Sequence, residues 1–206
     1  MPRTLFCTLL RTVVLAAAMA SSAAAQVIHN TGQGAQGSTD PFWSTVQTGN
    51  VVIQSNANLY SGWAASSTSR WISLSDSRRQ QRGTFDYFTT FDLTGYDVNS
   101  AVLSGRWTAD DSGTLLLNGN LLGSQSGQWG SFTAFTVNGG SGYFVAGVNT
   151  LTVELTQADG NYDAMNVDHL SIQANAVVAT PEPASGVLLA TGFIGLLGLV
   201  GRRRVR

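Results

Sequence analysis

From Val51 to Ile172 the chain repeats one device: short runs rich in β-branched and aromatic residues, separated by Gly, Asn, Asp and Ser. Several runs alternate. Val153 and Leu155 stand between Thr152, Glu154 and Thr156, which gives a strand one dry and one wet face. The same reading predicts strands near Val51–Ser55, Trp71–Leu74, Phe85–Phe91, Ala101–Thr108, Thr114–Leu117, Phe132–Val137, Thr150–Leu155 and Met165–Ile172. Asn118-Gly119-Asn120 and Asn138-Gly139-Gly140 supply tight-turn chemistry. No amphipathic helix is evident between the two ends. Strands at this spacing predict an all-β fold, an antiparallel β-sandwich or jelly roll, over residues 41–174. A polar, Gly-rich lead-in covers residues 26–40, and residues 175–180 read as a linker.

The two ends break this pattern. Residues 1–25 open with Arg3 and Arg11, run through an apolar stretch from Val13 to Ala20, and close on Ala23-Ala24-Ala25 before Gln26. A basic start, an apolar centre and small residues at the boundary predict a signal peptide cleaved after Ala25. The only cysteine, Cys7, falls inside it, so the expected mature chain has neither thiol nor disulfide. At the other end, residues 181–206 read Pro181-Glu182-Pro183, then an uncharged apolar stretch over 184–201, then Arg202, Arg203, Arg204 and Arg206. Eighteen helical residues span roughly 27 Å, close to a hydrocarbon core. A transmembrane helix is therefore expected, its arginines in the cytoplasm and residues 26–180 outside. The two prolines keep Pro181–Pro183 extended and out of that helix.

Charge sharpens the picture. All 11 basic residues are arginines, and six of them belong to the ends. The segment between Gln26 and Ala179 holds five arginines against eleven acids, a net of −6 that excludes nucleic acid as a natural partner.

In its order of Pro-Glu-Pro, apolar helix and terminal arginines, the tail resembles the PEP-CTERM sorting signal of Gram-negative bacteria. The resemblance implies an exosortase partner, an integral-membrane cysteine transpeptidase that cleaves at Pro181-Glu182-Pro183. It further implies a transient stay in the inner membrane, then release to the cell surface or exopolysaccharide matrix. An ordinary permanent anchor is the alternative. Within the centre, Thr90–Tyr96, Ala101–Asp111, Leu115–Gly119, Phe132–Val137 and Ala146–Val153 together resemble the galactose-binding-like jelly roll of carbohydrate-binding modules. That resemblance implies a hairpin at Asn118-Gly119 and a core strand entered at Gly147–Leu151.

A sugar-binding surface needs flat apolar faces flanked by amides and carboxylates. Trp43, Trp63 and Trp129 lie among Gly, Ser, Asn and Gln and are the candidate platforms, whereas Trp71 and Trp107 sit in expected strands as core. Asp159, Asn161 and Asp163 carry oxygens at alternating positions, the pattern of a calcium loop, although Ala164 follows where an EF-hand has glycine. A structural calcium, which the galactose-binding-like fold often holds, is the one candidate cofactor. Arg78-Arg79-Gln80-Gln81-Arg82 reads as a solvated loop or as a contact for an anionic polysaccharide. Only His29 and His169 could serve as bases, and Gly123–Gly127 has Gln125 where a nucleophile elbow needs serine. The expectation is a non-enzymatic, exported carbohydrate-binding protein, or a structural matrix protein that binds itself and no sugar.

Overall fold

The computed structural model describes residues 25–177; the expected signal peptide apart from its last residue, Ala25, and the sorting motif, transmembrane helix and arginine cluster lie outside the described residues. Among the described residues eleven strands form: β1 Ala25–Gln26, β2 Ser44–Thr45, β3 Val52–Ile53, β4 Ile72–Ser73, β5 Gly83–Asp92, β6 Val102–Asp110, β7 Ser112–Leu117, β8 Asn120–Ser126, β9 Thr133–Asn138, β10 Val148–Gln157 and β11 Ala164–Gln173. They make two antiparallel sheets. One has the order β3-β4-β11-β6-β9, with β1 also on β11, and the other the order β2-β5-β10-β7-β8. The all-β sandwich expected from the alternation is what the chain builds.

All eight expected strands are present. The alternation works as read: Leu151, Val153 and Leu155 of β10 are fully buried, as are Leu115 and Leu117 of β7 beside them. Opposite, Phe85, Tyr87 and Phe91 of β5 turn the same way. Each such aliphatic or aromatic side chain taken out of water stabilises the sandwich by about 1.5–3 kcal/mol. The β7–β8 hairpin turns on Asn118 and Gly119, both at positive φ (50° and 79°), as a type I′ turn requires. Trp107 is core, and so is Trp71 in a smaller cluster with Trp63, Ala64 and Ala164.

Strand β11 departs from simple alternation. Every residue from Ala164 to Asp168 is buried. Met165 and Val167 enter the main core, while Ala164, Asn166 and Asp168 face the other side of the sheet. That side is covered by irregular chain: residues 28–40 and 59–71 lie across it. Thr31 N donates to Val167 O, and Thr31 Oγ1 donates to Asn166 Oδ1. The Gly-rich stretch read as a lead-in is thus bound to the sheet, with Thr31 fully buried. Past Asp168 a bulge at His169 (φ 50°) shifts the register by Ser171, so that Leu170 and Ile172 turn inward instead.

Candidate functional site

The irregular layer over β11 is held by aromatic rings. Trp63 and Trp71 stack at 4.3 Å between centroids, 18° apart. Tyr162 meets Trp63 edge-on at 6.1 Å and Tyr60 at 5.3 Å. Each indole N–H is spent inside the layer: Trp63 Nε1 donates to Asp110 Oδ2 at 2.6 Å, and Trp71 Nε1 donates to Ala64 O at 2.9 Å. Tyr60 stands at the rim, 41% exposed.

Beneath this rim lies a cleft of about 200 Å³, lined among others by Gln54, Tyr60, Trp63, Ser69, Trp71 and Asn166. Its polar residues are only half satisfied. Gln54 Nε2 donates to Ser73 Oγ and to Ser75 O, and Asn166 Oδ1 accepts from Thr31 Oγ1. The other half of each amide, Gln54 Oε1 and Asn166 Nδ2, has no partner, and neither does Ser69 Oγ. All three residues are buried, and buried polar groups are nearly always paired in folded proteins.

On the far side of Tyr60 a second cleft is lined by Tyr60, Asp110, Asp111, Trp129, Asp159 and Tyr162, with Asn161 beside them. Burial pushes Asp110 up to about 7; the Trp63 indole pulls it down, and the neighbouring Asp111 adds to the rise. Behind it, burial and the charges of Asp111 and Asp110 push Asp163 up to about 8. At the opposite border of the layer, burial alone would raise Asp168. Hydrogen bonds from Thr68, Arg106, Ser66 and the His169 backbone outweigh it and hold Asp168 at about 2. Arg106 Nη2 lies 2.5 Å from Asp168 Oδ2, and its guanidinium also covers the Phe132 ring at 4.6 Å.

Comparisons with known proteins find neither a matching family model nor a matching curated protein. Solved structures do match. One is a family 35 carbohydrate-binding module from an environmental isolate, at 14% identity and a TM-score of 0.34, covering 75% of this chain and 98% of that one. Another is an arabinose-bound α-L-arabinofuranosidase, at 11% identity and a TM-score of 0.38, covering 72% of this chain and 25% of the enzyme. A third is a Paenibacillus sp. cycloisomaltooligosaccharide glucanotransferase complexed with cycloisomaltoheptaose, at 14% identity and a TM-score of 0.32, covering 73% of this chain and 17% of that one. The chain thus spans nearly all of the first and a quarter or less of the other two.

The three tryptophans read as platforms fall in three environments. Trp43 is in the main core, 1% exposed, its Nε1 donating to His29 O. It offers no open face, because Asp40 caps the backbone N–H groups of Phe42 and Trp43 and turns the indole inward. Trp63 is 8% exposed and forms a wall of the first cleft. Trp129 is half-buried and lines the second. The three residues read as a calcium loop are split: Asp159 and Asn161 are at the surface, with Asp159 Oδ1 accepting from Asn161 N, while Asp163 is buried. Among the described residues no three His, Cys, Asp or Glu side chains group to hold a metal ion. Asp159, Asn161 and Asp163 therefore do not stand together at the surface as one ligand loop. Arg78 and Arg82 are tied down by donating to Ala57 O and Asp159 O. Tyr60, Gln54, Ser69 and Asn166 lack a motif. Asn166 alone carried a sign, as a polar residue inside an expected core strand.

Proposed function

We propose that this protein is an exported, non-catalytic glycan-binding protein, sorted by an exosortase to the cell surface or the exopolysaccharide matrix. One observation supports the binding reading: a cleft walled by Tyr60, Trp63 and Trp71 whose floor holds unpartnered buried amide and hydroxyl groups. Aromatic faces take the apolar side of a sugar ring, and unpartnered polar groups take its hydroxyls. The sorting reading rests on the tail, Pro181-Glu182-Pro183 followed by an apolar stretch and arginines. Affinity gel electrophoresis over a polysaccharide panel tests the first: retardation by at least one glycan is expected, and none across the panel ends the reading. Pulse–chase in the native host tests the second. Replacing Pro181 and Glu182 by alanine is expected to leave an unprocessed, membrane-bound precursor, and normal processing of that variant would refute it.

A second reading, self-association in the matrix, has its own support. The outermost strands β8 and β9 contain no charged residue and no proline, and Leu121 on β8 is 59% exposed. Edges of that kind are usually blunted by charge. Sedimentation should then show concentration-dependent dimers that Leu121→Lys removes; a monomer at all concentrations excludes it.

A further inference from the structure

We propose that the cleft at Asn166 is a socket for one neutral sugar unit at the end of a glycan chain; this rests on the glycan-binding reading above. The selection comes from which half of each buried amide is already used. With its N–H₂ donating to Ser73 and Ser75, Gln54 presents only an acceptor. With its carbonyl oxygen accepting from Thr31, Asn166 presents only a donor. Ser69 Oγ serves as either. Hydroxyl and acetamido groups both give and take hydrogen bonds, so a sugar bearing them satisfies all three. A carboxylate or sulfate only accepts and would set oxygen against Gln54 Oε1. An ammonium only donates and would set N–H against Asn166 Nδ2. Arg70 also lines the cleft, but it is exposed at the mouth and donates to Gly34 O. An anion drawn to it would stay outside and leave the floor unmatched.

Shape selects the chain end. The floor residues Gln54 and Asn166 are 2% and 1% exposed, and Tyr60 stands exposed at the opening. The cleft therefore descends from the surface to the outer face of β11. Its roughly 200 Å³ falls below the roughly 300–1,000 Å³ of pockets that take drug-sized ligands. An internal unit of a polysaccharide needs two exits, whereas a terminal unit needs one.

The test is a titration of the full chain, held in a detergent without a sugar headgroup and followed by tryptophan fluorescence. Neutral hexoses, N-acetylhexosamines, the matched uronate and free-amine sugars, and neutral oligomers of increasing length are the probes. At least one neutral monosaccharide should bind roughly tenfold or more tighter than its uronate and amine counterparts, and lengthening should change affinity by less than about tenfold. Tyr60→Ala should weaken binding by about tenfold or more with only a small drop in melting temperature, because Tyr60 is at the rim and makes one ring contact, with Tyr162. Asn166→Asp, which turns the donor into an acceptor, should abolish binding where the variant still folds. Charged sugars binding as well as neutral ones would overturn the proposal, as would a larger gain with length or wild-type binding by Tyr60→Ala. Retardation by polysaccharide with no monosaccharide binding would overturn the socket and leave the glycan reading standing. No retardation by any polysaccharide would remove both.

Discussion

Asp163 is 1% exposed, and neither of its carboxylate oxygens has a hydrogen-bond partner. Burial, with the charges of Asp111 and Asp110 behind it, holds its folded value at about 8 against an ordinary 3.8. The sign of the consequence follows. A carboxyl raised on folding contributes its stability in full below its unfolded value and loses it as pH climbs through its folded one. Asp163→Asn should therefore melt like the wild type below about pH 4 and progressively higher than it as pH rises to about 8; a constant difference across that range would show that the carboxyl is not buried. The tryptophans need a similar distinction. Trp63 is stacked and nearly enclosed, so Trp63→Ala should cost about 3–5 kcal/mol of stability. Loss of sugar binding in that variant would say little unless its melting curve were measured alongside.

Among the elements, the paired strands β5 and β10 carry one local conflict. Glu154 stands directly across from Asp86 on the outer face of their sheet. Like charges so placed repel, and Glu154→Thr should raise stability by roughly 0.2–1 kcal/mol. The gain should shrink at high salt; thermal melts at two ionic strengths check both. The long strands were legible because Phe, Val, Leu and Thr alternate in them. Strand β8 was not. Asn120-Leu121-Leu122-Gly123-Ser124-Gln125-Ser126 has few branched residues and a central glycine, and it is a strand because the Asn118-Gly119 turn folds it back onto β7. The cleft was less legible still. Gln54, Tyr60 and Ser69 come from irregular chain whose position is set by distant partners, such as Thr31 reaching Val167. Gly32 shows how close that crossing is: at φ 73°, a Cβ there would run into the Arg70 backbone and side chain. Gly32→Ala should thus lower the melting temperature markedly and weaken sugar binding, and a variant as stable as wild type would contradict the packing of the layer.

For the whole molecule, two opposed sets of carboxyls define a pH window. Asp168 is held at about 2, so its contribution is complete above its ordinary value of 3.8 and is lost as pH falls through 2. Asp110 and Asp163 sit near 7 and 8, so theirs is lost as pH rises. Melting temperature should peak near pH 4, close to the ordinary carboxyl value, and decline on both sides. A profile flat from pH 4 to 9 would count against that balance. The layer over β11 has a separate consequence. Its backbone donors and acceptors are largely outside the two sheet ladders, so residues 59–71 can exchange amide hydrogens without the sandwich opening. Deuterium should enter there well before β5 or β10. Selection can then rewrite those residues while the apolar core between the two sheets, which keeps the protein folded, stays as it is.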